Sequence, residues 1–584
     1  MTIVALALFS CTSGGKNETA GTAGSGAGGV EGGGDTGGAE SAQAGKMAGS
    51  SGAATASAGA GHGGQSSAAG GGSVAGATSS RPPLTPDGPP YIGTGIELTQ
   101  PPYDWTGIIG TGQSLSIGAY STAVSLTQPY KNLMLIDNGP DPKYPIDGSA
   151  SAQWAAVPLA EPHRPNVPGT FSNNLNYPNN IAGLSATGPY GETPHSGMAN
   201  SISKAWAGRG KTDDYITTHS AVGVGGYCLQ YIAKGTTSFA AALSEARVYK
   251  KLADAAGKVY GVGGVILTHG ECDNSVRTPD YGEKVHQLWS DFNTDLKAVT
   301  QQPNNIVMLA SQASSVKGAG YNSPAIQLWR AGRAHPGEVV CTGPKYAYGP
   351  YYVHLPGPGY ERVGEKYGEV FDLIVNRGIA WKPLGPNKVQ RDGKVITIDF
   401  DVPNPPLVWD THLPKPHQKA HTAWSAGNGF EVIDANQNEI AIASVAIVDS
   451  SVKLTLAAVP ADDAVLTVGY AVTPDDTGDY AGRDVDLIGL LRDSDPFEGY
   501  SVESIDVQAT KGSKDFTAAT GALDRRGLMD IATASGLPAD TAIDTLNGTT
   551  VTLTSAWTGD SGTAKITFRH NHYNYCVHFG LDVP

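Results

Sequence analysis

Two hydrophobic rhythms divide the chain. From about residue 103 to residue 382, short apolar runs alternate with longer stretches whose apolar positions recur every three or four residues. The runs TGIIGTG (106–112), NLMLID (132–137), AVGVGG (221–226), VGGVILTHGE (262–271) and NIVMLASQ (305–312) predict buried strands, the third ending in a tight turn. Helical spacing predicts a helix over 238–257, with Phe239, Leu243, Ala246 and Leu252 near one face and Thr237 or Ser238 as N-cap. A second helix carries Val285, Leu288, Trp289, Phe292, Leu296 and Val299 on one stripe. A third, over 359–376, carries Tyr360, Val363, Tyr367, Val370, Phe371 and Ile374. Strands separated by helices predict an α/β domain with a mostly parallel sheet covered on both faces. In such folds reactive groups gather at the C-terminal ends of the strands.

After residue 383 the period drops to two. KVITIDFDV (394–402), NEIAIASVAIV (438–448), SVKLTLAAV (451–459) and AVLTVGYAV (464–472) alternate apolar and polar positions and are separated by ANQN, DSS and PADD turns. This predicts a C-terminal antiparallel β-sandwich over 383–584. Residues 502–567 read as an insertion, in which RRGLMDIATASGL (525–537) fits a short helix among further strands, and YNYCVHFGLDV (573–583) fits a closing strand.

The N-terminal part has neither rhythm. Residues 12–80 are Gly, Ala, Ser and Thr with hardly a large apolar side chain. Such a stretch cannot bury enough surface to offset its conformational entropy and reads as a disordered tether. A flexible coil of about 70 residues spans roughly 45–50 Å. Residues 81–102 are Pro-rich and read as a linker, so 12–102 forms one tether-and-linker segment. Before it, MTIVALALFS (1–10) leads into Cys11, and Leu8-Phe9-Ser10-Cys11 resembles a bacterial lipobox, although no Lys or Arg precedes it. On that reading residues 1–11 are a lipoprotein signal, Cys11 carries a lipid anchor in the outer membrane, and the protein is secreted or held at the cell surface.

Charge narrows the partners. The formal net charge is −15 and no Lys/Arg run occurs, which argues against a nucleic-acid-binding surface. Beyond Cys11 there are four cysteines, Cys228, Cys272, Cys341 and Cys576. Their spacing fits no zinc pattern, and it leaves their pairing open.

Candidate chemistry sits at three strand ends. Acyl transfer to a serine needs a hydroxyl on an exposed turn, a base to take its proton, and donors aimed at the developing oxyanion. Ser114 follows a strand in the Gly-rich turn GTGQS. Gly225 and Gly226 offer bare backbone amides. His269 could add a ring N–H, and His354, in a loop just before the last helix, is placed to act as general base.

The order of these blocks resembles the SGNH/GDSL hydrolase superfamily, in its carbohydrate O-acetylesterase (sialate O-acetylesterase-like) branch. The blocks are Gly112-Gln113-Ser114, Val224-Gly225-Gly226, His269-Gly270-Glu271-Cys272-Asp273, and Tyr351-Tyr352-Val353-His354 followed by Gly359-Tyr360. The resemblance covers about half the chain. It implies a three-layer α/β/α flavodoxin-like domain over 103–382. It also implies a serine esterase with Ser114 as nucleophile and His354 as base, an oxyanion hole from Ser114, Gly225, Gly226 and His269, and possible support from Gln113, Glu271 and Asp273. The expected substrate is an acetylated polysaccharide or oligosaccharide, with no cofactor and no metal. Trp154, Tyr177, Tyr190 and Trp206 are candidate sugar-stacking aromatics. Two positions depart from the family pattern: His269 stands where the family has glutamine, and Tyr351 where it has the aspartate that orients the histidine. Three readings stay open: a Ser–His dyad with a carbonyl as orienter, a different acid (Asp273 or Glu271) reaching His354, or a catalytically impaired domain that binds carbohydrate.

Overall fold

The computed structural model describes residues 95–137, 153–163, 191–315, 320–349, 353–411, 413–475, 487–519, 528–533, 535–538, 541–547 and 549–584. Cys11, the expected tether, Tyr177, Tyr190 and Tyr351 lie outside these residues.

A seven-stranded sheet organises the N-terminal half. Its strands are β1 (Trp105–Gly112), β2 (Leu133–Asp137), β3 (Trp154–Pro158), β4 (Thr217–Ala221), β5 (Tyr260–Thr268), β6 (Val307–Gln312) and β7 (Val339–Pro344). Their order is β3-β2-β4-β1-β5-β6-β7, and all neighbours are parallel except the β2–β3 pair. Without that edge pair, the remaining strands follow the 2-1-3-4-5 order of doubly wound sheets. There, sites form outside the carboxyl ends of the strands near β1.

Successive side chains of a strand point to opposite faces, and here both faces are apolar. Ile108, Ile266, Val307 and Leu309 join a core with α1 (Pro194–Gly208) and α6 (Gly357–Phe371). Their chain neighbours Ile109, Val265, Leu267, Met308 and Ala310 join a second core with α2 (Thr237–Ala255) and α4 (Tyr281–Thr300). Such continuous apolar strands are what burial on two faces requires. Truncating one of them, as in Ile108→Ala, costs about 2–5 kcal/mol. A short α3 (Glu271–Ser275) follows β5, and α5 (Pro324–Ala334) precedes β7. The α1–α6 contact is close because both helices use glycine there. A Cβ at Gly197 would collide with the Glu361 carbonyl, and one at Gly364 with the Pro194 carbonyl.

Antiparallel sheets fill the C-terminal half. β8 (Gly385–Asp392), β9 (Val395–Asp401), β12 (Ile442–Val448) and β13 (Ser451–Leu456) form one, in the order β12-β13-β9-β8. β11 (Phe430–Asp434), β14 (Leu466–Tyr470) and β22 (Phe579–Val583) form another, in the order β11-β14-β22. Ile396, Ile398, Val452 and Leu454 of the first share one core with Phe430, Val432, Val468 and Phe579 of the second, as the period-two pattern predicts. A two-residue ladder joins β10 (Val408–Trp409) to β15 (Leu491–Arg492).

The stretch read as an insertion is a sheet of its own. Its strands are β16 (Glu498–Ala509), β17 (Asp515–Ala518), β18 (Leu528–Thr533), β19 (Ile543–Asn547), β20 (Thr550–Leu553) and β21 (Gly562–Asn571). They are ordered β18-β21-β16-β17-β20-β19 over a separate core that includes Val507, Phe516 and Trp557. The short helix expected within 525–537 is instead strand β18, which pairs with β21.

The chain end returns to the first sheet. Gln312 at the end of β6 exchanges two hydrogen bonds with the backbone of His578, and the Tyr346 hydroxyl donates to the Cys576 carbonyl.

Candidate active site

The turn after β1 is built around one glycine and one glutamine. Gly112 has φ 137°, and a Cβ there would collide with the Thr268 carbonyl of β5. The chain can therefore turn sharply at the strand end and begin a single 3-10 turn at Ser114, closed by Gly118 at φ 69°. The Gln113 carbonyl accepts from both the amide and the hydroxyl of Ser116, while its side chain accepts from the Cys272 amide at 3.2 Å. Gln113 thus ties the serine turn to α3.

His354 meets the serine. Its Nε2 lies 2.7 Å from Ser114 Oγ across 240 positions of sequence. The loop carrying it is anchored by buried Leu355, and α6 is held against the serine loop by a bond from the Tyr360 hydroxyl to the Ala119 carbonyl. Burial pushes His354 down to about 4; the Glu271 charge acts against this and the Lys345 charge with it. The ring is therefore neutral at pH 7, as a base must be. Tyr120 leans on it, with ring centroids 4.6 Å apart. Tyr120 is 74% exposed and sits at φ 58°, a left-handed conformation that costs a non-glycine residue roughly 1–2 kcal/mol.

The AVGVGG segment does not form the strand expected over 221–226. The strand is β4, which ends at Ala221, and the glycines form the loop after it. The Val224 amide donates to the Gly112 carbonyl, and the Tyr227 amide to Val224, closing a turn with Gly226 at φ 74°. Gly225 faces the serine: a Cβ there would lie 4.0 Å from that of Ser114. Among the described residues, nothing accepts from the amides of Ser114, Gly225 or Gly226.

His269 has a different task from the one expected. Its Nε2 lies 2.9 Å from the Tyr227 carbonyl, which can only accept, so the proton is on Nε2. Its Nδ1 lies 3.0 Å from the Tyr281 hydroxyl, which then donates to it. Burial lowers its pKa. A neutral ring with both nitrogens engaged has no N–H left for an oxyanion. His269 instead fixes the residue that follows the Gly225-Gly226 turn. The Cys228–Cys272 disulfide fastens the same loop to α3, while Cys341 and Cys576 are free and buried.

Neither expected acid hydrogen-bonds to His354. Asp273 accepts from the Leu229 amide at 2.8 Å and from the Thr278 hydroxyl at 2.7 Å. Glu271 accepts from Lys345 Nζ at 2.8 Å, both side chains being buried. Tyr351 lies outside the described residues, and among the described residues nothing accepts from His354 Nδ1. The proposed sugar-stacking role fits Trp206 poorly, because it is buried against Tyr215; Trp154 is a partly buried residue of β3.

Two features at the site go unread in the sequence. Lys345 lies in the mostly apolar run VVCTGPKYAYG, where one charged residue hints at burial with a partner. Tyr120 carries no such hint, since its left-handed backbone and its contact with His354 are tertiary.

No protein-family model matches the sequence, and no curated protein matches it significantly. Among solved structures, the chain is similar to a carbohydrate acetylesterase from Xanthomonas citri (13% identity, TM-score 0.40, covering 66% of this chain and 78% of that one). It is also similar to a protein from Arabidopsis thaliana (12%, TM-score 0.31, 46% and 98%) and to NanS (13%, TM-score 0.31, 46% and 96%). These are distant likenesses of shape, and the functional reading rests on the residues of the site.

Proposed function

We propose that the chain is a serine esterase of the SGNH/GDSL type that removes O-acetyl or similar short acyl groups from a polysaccharide. The observation that carries this reading is the 2.7 Å approach of His354 Nε2 to Ser114 Oγ beside unengaged backbone amides. In the proposed reaction, Ser114 Oγ bonds to the ester carbonyl carbon and gives its proton to His354 Nε2. The amides of Ser114, Gly225 and Gly226 are the donors for the oxyanion. The carbon–oxygen bond to the sugar then breaks, and His354 returns the proton to the leaving oxygen. Water, deprotonated by His354, attacks the acyl-enzyme; acetate leaves and Ser114 regains its proton.

The order of motif blocks in the sequence supports the superfamily and the carbohydrate substrate. Export on a Cys11 lipid anchor with a Gly-rich tether, a catalytic part over 103–382 and a β-rich part over 383–584 complete the proposal. A second reading, an impaired domain that binds carbohydrate without turnover, is favoured by one observation: among the described residues, nothing accepts from His354 Nδ1. Acetate release from acetylated xylan and from p-nitrophenyl acetate, with Ser114→Ala as control, separates the two. Turnover lost in the variant supports the esterase. Wild type no faster than the variant supports the binder.

A further inference from the structure

A cluster unrelated to Ser114 lies at the other end of the sheet. His286 comes from α4, His335 closes α5, and Glu338 stands in the turn that opens β7. The serine follows the C-terminal end of β1, whereas this cluster sits at the N-terminal end of β7. The serine thus belongs to a central strand of the sheet and the cluster to the edge strand β7.

One donor atom from each of these residues converges there, all within 4.8 Å of one another. The Glu338 oxygen is 2.7 Å from His286 Nε2 and 3.9 Å from His335 Nδ1. In a tetrahedral zinc site with bonds near 2.0–2.1 Å, donor atoms stand about 3.3 Å apart, so these separations bracket the required one. The scaffold around the donors is built. The Glu338 amide donates to the His335 carbonyl, the Glu338 carbonyl accepts from Met308, and the His335 amide donates to Ala331. The His286 ring stacks on Trp289 at 5.4 Å and lies nearly parallel to the His335 ring at 3.5 Å, so one imidazole must turn out of the stack for both lone pairs to meet one ion. Side-chain exposures of 26%, 27% and 30% leave the cluster reachable from solvent, with room for a water to complete the coordination.

The geometry points to a binding site for one first-row divalent cation of the zinc type, held by His286, His335 and Glu338. Two imidazoles and one carboxylate favour such an ion over calcium or magnesium, which take all-oxygen shells. The ion clips α4, the end of α5 and the start of β7 together. It takes no part in the chemistry proposed for Ser114.

The test uses the full chain after chelator treatment. Calorimetric titration with Zn²⁺ is expected to show one equivalent bound. Co²⁺ is expected to give the visible absorption of a four-coordinate nitrogen–oxygen site. His335→Ala and Glu338→Gln, each made alone, are expected to weaken binding by at least about tenfold. Both should leave p-nitrophenyl acetate turnover unchanged. Metal-free melting curves of both variants, matching wild type, confirm that they fold. Absence of a stoichiometric site in wild type overturns the proposal. So does binding that survives both substitutions, which would place the ion on other residues.

Discussion

Lys345 Nζ stands 2.8 Å from Glu271 Oε1, and both side chains are buried close enough for their charges to act on His354. The pair has no role in the acyl-transfer steps, yet it sets the field around the base. Removing one partner of a buried pair leaves the other charge uncompensated, at about 3–5 kcal/mol. Lys345→Met should therefore lower unfolding stability by that order in denaturant titrations. It should also move the acid limb of the pH–rate profile upward, because the charge that lowers His354 is gone while the one that raises it stays. A stability loss under about 1 kcal/mol would show that the pair is not buried in solution.

His354 makes its own prediction about pH. Held at about 4 by burial, its ring stays neutral and able to accept a proton well below its ordinary 6.5. The acid limb of kcat/KM should have its midpoint near pH 4 to 5. A midpoint at or above 6.5 would reveal an anionic partner at Nδ1 that stabilises the imidazolium.

Two buried glutamates, Glu161 and Glu192, and the partly buried Glu361 lie around the loop that follows the serine turn. Glu192 accepts from the Val124 and Ser125 amides, Glu361 from the Ser125 hydroxyl, and Glu161 from Thr193 and Ser196. Burial raises Glu161 to about 7 and Glu361 to about 8, and raises Glu192 as well, against an ordinary 4.5. The folded state therefore holds protons that the unfolded chain has already lost, and stability falls as pH rises from 4.5 to about 8. Buried His163, His354 and His578, each lowered to about 4, act in the opposite sense, but only up to their ordinary 6.5. Between pH 6.5 and 8 the carboxyls act unopposed by these histidines. The melting temperature should fall across that window, and Glu161→Gln with Glu361→Gln should flatten the decline. A rise in wild-type melting temperature over the same window would contradict the assignment.

The Cys228–Cys272 bond closes a 44-residue separation between the Gly225-Gly226 loop and α3. Chain entropy puts its contribution at about 2–4 kcal/mol. The double variant Cys228→Ser, Cys272→Ser should lose stability of that order. It should also lose esterase rate, because the amides beside Ser114 are no longer fixed. Unchanged rates would show that His269 and Asp273 hold the loop by themselves.

Much of this arrangement was legible because apolar pattern and burial coincide. The β1, β5 and β6 runs are buried on both faces, and α4 turns a clean stripe to the core. Elements that break the pattern were missed. α1 reads PHSGMANSISKAWAG, with serine, asparagine and glycine where a core stripe would stand, because it is buried nearly all round and lies close against α6. Its Thr193 cap and Pro194 were the available signal. β4 reads TTHSA and holds no large apolar residue. Its Thr217 hydroxyl donates to Asn132 and its His219 ring meets His195, and with no apolar run to mark it the strand reading slid to the apolar AVGVGG beyond it. The Ser114 turn, the Gly225-Gly226 loop and His354 were found by block order, and the structure brings them together. The His269 donor role failed because motif position carries no information on which partners occupy a ring's nitrogens.

The central claim is that His354 activates Ser114, and covalent labelling tests it most directly. Wild-type protein treated with a fluorophosphonate and analysed by peptide mass spectrometry should carry one adduct, on Ser114, and His354→Ala should label slower by about 100-fold or more. No adduct on Ser114, or equal labelling rates in wild type and His354→Ala, would contradict the account.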